Sequence, residues 1–399
     1  QEAAMLWYHD HTLGITRLNV YAGMAGLYMM RDERDTGLPT NPLNLPAFPY
    51  EVALLIQDRR FDTSSQLLFP SRPPTSTSPN PSIRGIMTGL VMTVNGKAWP
   101  KMQVEPRRYR FRIVNGCDSR MLGLVFGDEG KIDVIGGDGG FFNANSIVSG
   151  GDPVVIASGE RIDVLIDFSQ FPFGSRVLLR NIQSLMDRSL PISYLDGRIM
   201  AFDIVTPLDT TAPNAQVTVP LTYRVSGYPT QTEGLKVREL GLYEQVDAFK
   251  RPVFRLGTAT EAFSWNDPVT EFAVAGTSEV WDITNSGFVS HPIHLHLATF
   301  TLLERVAIYT LETTPADDSE QGPKDTVQVP GGYRTRILVT FPQSYTGLFV
   351  WHCHMLSHED HDMMRPYRVY ASADLIPTPL PTQTPGPAPT PFVIPGPVV

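Results

Sequence analysis

Four of the nine His and one of the two Cys lie within a single stretch of fifteen residues, VWHCHMLSHEDHDMM (350–364). The remaining His form two further groups, YHDH (8–11) and HPIHLH (291–296). Imidazole, thiolate and thioether groups are ligands of soft or borderline transition metals. A chain that concentrates them in three short segments must fold so that the segments meet, and this predicts a metal protein.

Strand alternation divides these ligands between two sites. Side chains at positions i and i+2 of a β-strand share one face of the sheet, and the residue between them points to the other face. We therefore expect three pairs of neighbouring imidazoles: His9/His11, His294/His296 and His352/His354. Cys353 lies between two members of a pair and His291 lies three residues before His294, so both fall on the opposite face. The sequence predicts one site made only of imidazoles and a second site that contains Cys353 and His291.

The loop after Cys353 offers further ligands for the second site, His358 and then Met363 or Met364. One thiolate, two imidazoles and a weak thioether are the ligand set of a blue-copper electron-transfer site. Zinc is the rival, but zinc prefers four strong ligands in a closed tetrahedron and does not account for the three His pairs. Several imidazoles that face one cavity suit copper that changes oxidation state and binds oxygen.

In the rest of the chain, turn-forming residues are spaced as in an all-β protein. From about residue 50, short alternating or apolar runs are bounded by Gly, Pro, Asn or Asp, as in RRYRFRIVNG (107–116) and PVVIASGERIDVLIDF (153–168). This spacing predicts a Greek-key sandwich or barrel. Residues 5–31 read as a strand, a short helical turn and a second strand.

Two linkers, DERDTGLPTNPLNLPAFPY (32–50) and TPLDTTAPNAQ (206–216), divide the chain. We predict a first domain segment at 1–46, a second domain at 47–206, a third at 207–372 and a Pro/Thr-rich, extended tail at 373–399. Because a domain usually needs ~100 residues, the first segment is expected to be part of a domain. Such a segment should expose apolar surface near residues 5–31.

Composition argues against nucleic acid and against a membrane span, and one of the two Cys lies outside the His-rich segments. The formal net charge is −9 with no cluster of Lys and Arg, which argues against nucleic acid. No apolar run approaches the ~18 residues that a membrane span needs. Cys117, in VNGCDSR, is far from the His-rich stretch and is interpreted as a free, partly buried thiol, since two Cys cannot form a disulfide framework.

The segments LWYHDHTLGITRLNVYAGMAGLYMMRD (6–32), HPIHLHLATF (291–300) and VWHCHMLSHEDHDMMRP (350–366) resemble the multicopper oxidases, above all their bacterial laccase, spore-coat laccase and bilirubin oxidase branch. The resemblance spans roughly residues 5–371 and implies tandem cupredoxin-like domains, the first of them incomplete. It also implies four coppers. Type 1 copper would be held by His291, Cys353, His358 and Met363, type 2 copper by His294, and the type 3 pair by His9, His11, His296, His352 and His354.

The resemblance implies an oxidase that couples two half-reactions. A reducing substrate gives up single electrons at the type 1 copper, and these pass through Cys353 and its flanking His352 and His354. Four of them reduce dioxygen to two waters at the trinuclear cluster. A phenolic or similar aromatic donor is favoured, while bilirubin-like pigments, Mn(II), Fe(II) and Cu(I) stay open. The scattered distribution of Met weakens the Cu(I) alternative.

Acidic residues follow the His-rich stretch directly. The resemblance places a carboxylate of the proton relay at Glu359, against the alternative of a solvated loop acid. That alternative is favoured for Asp360 and Asp362. His361 lies outside the ligand pattern and is interpreted as a surface residue of the loop.

The ligand count leaves a question of completeness. The family uses ten His in the two sites, and this sequence offers eight. We expect the missing His-x-His pair to come from a segment that precedes residue 1 or from a separate chain. Otherwise the chain is a blue-copper electron-transfer or copper-binding protein, although five type 3 ligands favour the oxidase. Because the family is usually exported and the tail suits an extracellular linker, an extracellular or periplasmic location is expected.

Overall fold

The computed structural model describes residues 2–70, 85–127, 130–148, 152–183, 197–212 and 229–377. Regular structure in these ranges is mainly β-strand, with two short α-helices and 3-10 turns at Phe168–Gln170, Asp318–Glu320 and Ala373–Leu375. The all-β prediction is confirmed. Within the described ranges, no helix is long and apolar enough to cross a membrane. The predicted tail from 378 onward and the end of the second linker, from 213, lie outside the described residues.

The first segment has the predicted strand, helix and strand. Strand β1 (Met5–His9) runs antiparallel to β2 (Ala25–Met29), and helix α1 (Thr16–Ala22) lies between them in sequence. The helix ends at Gly23, whose φ of 113° lies in the left-handed region that favours glycine.

The two faces of this strand pair have different environments. On one face, Met5 packs against Leu55 and Val114 of the following sandwich. Tyr8 and Tyr28 are exposed. The expectation of exposed apolar surface near residues 5–31 is therefore confirmed.

A first sandwich, which we call sandwich A, follows between residues 51 and 204. Its seven-stranded sheet has the order β10 (Gly140–Val148), β9 (Ile132–Gly137), β12 (Arg161–Asp167), β7 (Arg108–Asn115), β3 (Glu51–Arg59), β4 (Val91–Val94) and β5 (Lys97–Ala98). Its five-stranded sheet has the order β11 (Val154–Ile156), β8 (Leu122–Phe126), β13 (Arg176–Asn181), β14 (Arg198–Ile204) and β6 (Lys101–Val104). The aromatic rings of Phe111, Phe126, Phe168 and Phe202 meet in one core between the two sheets.

Sandwich B occupies residues 236 to 370. Its seven-stranded sheet has the order β17 (Ala262–Phe263), β16 (Pro252–Thr258), β15 (Lys236–Val246), β19 (Ser278–Asn285), β24 (Tyr333–Thr340), β21 (Thr299–Ala307) and β22 (Thr313–Pro315). Its five-stranded sheet has the order β18 (Glu271–Val274), β26 (Met364–Tyr370), β25 (Gly347–Cys353), β20 (His291–Leu295) and β23 (Thr326–Val329). A four-residue helix, α2 (Leu356–Glu359), connects β25 to β26. The domain boundaries drawn from the linkers stay a prediction.

A buried ion-pair network ties the segment after β2 to sandwich A. Arg110 on β7 donates to both carboxylate oxygens of Asp35, at 3.0 and 2.9 Å, and to both oxygens of Asp163. Burial acts to raise the pKa of Asp35, but Arg110, Arg112 and Arg31 together hold it well below its usual range. The carboxylate stays ionised because these guanidinium groups surround it, so the network depends on every partner being present.

Replacing Arg110 by Met removes a buried guanidinium that two buried carboxylates share. We expect a loss of about 3–5 kcal/mol in the free energy of unfolding, measured by urea denaturation, because breaking a buried ion pair leaves uncompensated charge. The control is Arg176→Met, which should not move the unfolding midpoint because the Arg176 side chain is 56% exposed where it pairs with Asp203. Equal midpoints for Arg110→Met and the parent chain would contradict the assignment.

Candidate metal centres

Strands β20 and β25 bring two of the His-rich segments together. They run antiparallel, with Ile293 opposite Cys353 and His294 opposite His352. Directly opposite residues on neighbouring strands point to the same face of the sheet. His294 and His352 therefore share one face, and Cys353 lies on the other, as strand alternation predicts.

The first candidate centre, the cysteine cluster, consists of His291, Cys353 and His358, all fully buried. Sγ of Cys353 lies 3.6 Å from Nδ1 of His291 and 3.7 Å from Nδ1 of His358, and the two nitrogens are 3.2 Å apart. Burial raises the pKa of the Cys353 thiol well above its usual value. A thiolate here therefore needs a bound cation to stabilise it, because metal binding displaces the thiol proton.

Contacts at the outer edge of the cysteine cluster fix its imidazoles. Nε2 of His358 contacts the carbonyl oxygen of Gly85, in sandwich A, and Phe254 stacks on the ring at a centroid distance of 3.7 Å. A carbonyl oxygen only accepts hydrogen bonds, so Nε2 carries the proton and Nδ1 presents its lone pair to Cys353. Nε2 of His291 lies 3.3 Å from a carboxylate oxygen of Glu244.

The register of β26 distinguishes the two candidate methionines. Met364 is paired directly opposite His352, so its side chain lies on the His352 face of the sheet. Met363 precedes the strand and is fully buried. Its carbonyl accepts a hydrogen bond from the N–H of Cys353 at 3.0 Å, and its N–H donates to the carbonyl of His358 at 3.1 Å. This register favours Met363 as the thioether beside Cys353.

The second candidate centre, the imidazole cluster, brings together all three predicted His pairs: His9, His11, His294, His296, His352 and His354. Nε2 of His352 lies 3.3 Å from Nε2 of both His11 and His296. The ring of His354 lies 5.4 Å from that of His9 and 5.6 Å from that of His294, centroid to centroid. Residues almost 350 positions apart in sequence therefore meet in one centre.

Main-chain contacts settle the tautomers of three of these imidazoles. Nδ1 lies 2.7 Å from the Asp10 carbonyl in His9, 2.8 Å from the Asp325 carbonyl in His294 and 3.1 Å from the Cys353 carbonyl in His352. Nδ1 carries the proton in each, which leaves the Nε2 lone pair for a metal. This arrangement of outer partners is the usual one around metal-binding imidazoles.

Burial favours the neutral, metal-binding form of three of these imidazoles, those of His9, His352 and His354. Burial lowers the pKa of His9 to about 4 and that of His352 to about 3, and it holds the pKa of His354 well below the usual value. Nδ1 of His354 is also buried without a hydrogen-bond partner among the described residues. A buried polar atom without a partner is costly, and coordination to a metal would satisfy it. The donor set therefore fits copper.

Glu359 is not a solvated loop acid; that alternative is wrong. Its side chain is 1% exposed, and its two oxygens lie 3.3 Å from Nδ1 of His11 and 3.1 Å from Nδ1 of His352. Neither contact is aligned as a hydrogen bond. Burial raises the pKa of Glu359. The carboxyl group therefore lies against the imidazole cluster.

The same interpretation is also wrong for Asp360. This carboxylate accepts hydrogen bonds from the main-chain N–H groups of Thr16 and Arg17, at 3.1 and 2.8 Å, and pairs with the Arg17 guanidinium at 2.8 Å. Asp360 thus caps helix α1 from a different unit of the fold. Asp362 is half-buried and accepts from the Trp265 N–H.

His361 lies outside both clusters, as predicted, but not at the surface. It is half-buried, and its Nδ1 donates to the Ser357 carbonyl. The surface interpretation fails because this one-turn segment packs on the neighbouring units.

Sequence reasoning missed a supporting turn of sandwich A, residues 158–161. Ser158 Oγ lies between two carbonyl oxygens, 2.6 Å from that of Cys117 and 2.9 Å from that of His354. Arg161 makes two hydrogen bonds of 2.6 Å with the carboxylate of Asp325, whose carbonyl orients His294, and a third of 3.3 Å with the carbonyl of Met5. No spacing in the sequence signals these roles, because each partner lies in another unit.

Gly159 makes the closest approach of this turn to the imidazole cluster. It has a φ of 87°, and a Cβ there would lie 2.5 Å from Cδ2 of His354. Gly174 is a matched control, with a φ of 88° and no described atom within 4 Å of an added Cβ. We expect Gly159→Ala to lower the free energy of unfolding of the metal-free chain by about 1–3 kcal/mol more than Gly174→Ala, because only Gly159→Ala adds an overpacking cost. Equal losses in denaturant titrations would show that His354 does not occupy this position.

Comparisons with known proteins agree with this architecture. A family profile described as "Multicopper oxidase" matches residues 242–373. A laccase of Bacillus subtilis is 39% identical over 382 residues, which cover 92% of this chain and 70% of the laccase. A laccase of Bacillus stratosphericus is 38% identical, covering 92% of this chain and 71% of its own length.

Solved structures extend the similarity to the fold. The multicopper oxidase McoA of Aquifex aeolicus superposes with a TM-score of 0.76 at 28% identity, covering 93% of this chain and 76% of that one. The chain is 39% identical to a relative of which it covers 70%, and it shares the fold of a solved multicopper oxidase. The chain belongs to the multicopper oxidase family.

Proposed function

We propose that the chain is a laccase-like multicopper oxidase that takes single electrons from phenolic or similar aromatic donors and uses them to reduce dioxygen to water. In this proposal the cysteine cluster, with Met363, holds type 1 copper. His294 holds type 2 copper, and the other five members of the imidazole cluster hold the type 3 pair. The relatives named laccase support the proposed oxidase activity.

One observation carries the proposal: the two candidate centres are joined by consecutive residues. Cys353 belongs to the cysteine cluster, while its neighbours His352 and His354 belong to the imidazole cluster. Bound copper would supply the electron-transfer and oxygen chemistry at both centres. The chain itself supplies a short covalent route between them, imidazoles oriented by carbonyl groups, and burial that excludes water from the cysteine cluster.

The imidazole cluster also argues against a simple electron carrier. A carrier needs the cysteine cluster alone, whereas this fold brings six further imidazoles together from three separate segments. Burying so many imidazoles next to Glu359 costs free energy that a bound metal offsets. We propose that Glu359, which contacts two of these imidazoles, transfers protons toward the oxygen-reducing centre.

The test replaces each of the two Cys in turn. Cys353→Ser should abolish the blue absorption and the donor-dependent uptake of oxygen, because no thiolate remains for type 1 copper. Cys117→Ser is the matched control, since Cys117 is equally buried but lies in the core of sandwich A. Copper per parent chain, measured by elemental analysis, should approach four when the cysteine cluster holds one copper and a completed imidazole cluster holds three. Blue colour that survives Cys353→Ser would refute the assignment.

Glu359→Gln should separate the two half-reactions. We expect oxygen reduction to slow by roughly 10²-fold, the usual scale of a lost proton-transfer group, while anaerobic bleaching of the blue band by a phenolic donor keeps its rate. Asp362→Asn is the control in the same loop, because Asp362 has a φ of 80° that Asn tolerates well. Unchanged oxygen uptake in Glu359→Gln, followed with an oxygen electrode, would remove Glu359 from the proton route.

A further inference from the structure

Sandwich A contributes none of the candidate ligands, yet one of its carboxylates bonds to the residue next to His358. Asp118 lies in the loop between β7 and β8 and is 5% exposed. Its Oδ2 accepts from Oγ of Ser357 at 2.8 Å, and its Oδ1 accepts from the main-chain N–H of Ser357 at 3.3 Å. Ser357 is 1% exposed and directly precedes His358. The contact therefore joins two units of the fold at the cysteine cluster.

Helix α2 needs this support because it is a single turn. Four residues are too few to form a stable helix by themselves. The N-cap residue, Met355, offers no side-chain hydrogen bond. Asp118 bonds to the second N–H of the helix, the group that an N-cap side chain would normally satisfy. The missing cap is thus supplied from sandwich A.

The same loop also holds the segment that covers His358. Oγ of Ser119 donates to Oδ1 of Asp118 at 2.7 Å and accepts from the main-chain N–H of Met87 at 3.1 Å. Met87 lies two residues after Gly85, whose carbonyl contacts Nε2 of His358. These hydrogen bonds and the main chain between them form a closed ring. It leaves sandwich A at Asp118, passes through Ser357 and His358, and returns to sandwich A at Gly85.

This ring fixes the imidazole of His358 on two sides. The main chain before it is held by Asp118 through Ser357, and Nε2 is held by Gly85, while Phe254 covers one face of the ring. Nδ1, the remaining nitrogen, lies 3.7 Å from Sγ of Cys353. A metal site requires its ligands to be held to within about 0.5 Å.

We propose that Asp118 is a positioning residue for type 1 copper: it caps helix α2 from sandwich A and, with Ser119, orients His358 toward Cys353. The inference rests on the proposed function, because it assigns Asp118 a role at the copper that Cys353 and His358 would hold. A purely structural role in docking the two sandwiches would instead change stability and leave the electronic environment of the copper unaltered.

The experiment measures the blue absorption band, the copper hyperfine splitting in electron paramagnetic resonance, and Cu(II) affinity by titration of the full chain. Asp118→Ala should shift the band and the splitting and weaken Cu(II) binding by about 10–100-fold, the usual cost of losing an outer partner of a ligand. Asp118→Asn should restore part of the change, because its amide still bonds Ser357. If Asp118→Ala does not fold, the inference is tested by Asp118→Asn alone, which should show a smaller shift of the band and the splitting than the loss of the side chain would cause.

Glu105→Gln and Glu105→Ala are the matched controls. Glu105 is a buried acid of the same sandwich that accepts from the Tyr50 hydroxyl at 2.9 Å and the Asp209 N–H at 2.9 Å. Its variants should lower stability without moving the spectrum. Ser357→Ala should reproduce part of the effect of Asp118→Ala, and the double variant should add little to it, since the two residues act through one contact.

Two results would overturn the inference, and they differ from a failure of the proposed function. Asp118 variants with the parent spectrum and affinity would show that His358 is positioned without Asp118. Spectral shifts of equal size in the Glu105 variants would show that any loss of stability in sandwich A disturbs the copper. A parent chain that binds Cu(II) without a thiolate-to-copper band would overturn the type 1 assignment itself, and this inference with it.

Discussion

The antiparallel pairing of β20 with β25 is the constraint on which both candidate centres depend. Because Ile293 lies opposite Cys353 and His294 opposite His352, one register places imidazoles on one face and the thiol on the other. A slip of one residue would exchange the faces and dismantle both centres together. The buried rings of Trp281 and Trp351, packed at a centroid distance of 5.6 Å, and the apolar core of sandwich B fix that register.

The remaining geometry comes from contacts between units. Each of the two short helices near the centres lacks a cap from its own segment and receives one from another unit. Asp360 of sandwich B caps α1, and Asp118 of sandwich A caps α2. Each cap therefore places a carboxylate of one unit against a helix of another, beside a candidate centre. Sandwich A, which holds no candidate ligand, therefore acts as the frame that aligns the other two units.

Local pattern and tertiary contact explain what the sequence could and could not predict. The division of ligands follows from alternation along single strands, so the separation of Cys353 from His352 and His354 was predictable. The contacts of Glu359 and Asp360 were not, because a charged loop has the same local pattern whether it faces water or another domain. The same holds for Arg161, whose partners Asp325 and Met5 lie in two other units. Alternation assigns a residue to a face of its own sheet, and only the docking of units determines what lies opposite that face.

Docking and metal binding are consequently linked. His11 comes from the first segment, and His296 and His352 come from sandwich B, yet their Nε2 atoms converge at 3.3 Å. A cation bound among these nitrogens has affinity only for the arrangement in which both units are docked, so by mass action it stabilises that arrangement. The buried imidazole of His354, whose Nδ1 has no partner among the described residues, opposes docking in the metal-free chain, since burial of polar groups without partners costs free energy. The ion-pair network around Arg110 and the two helix caps must offset that cost.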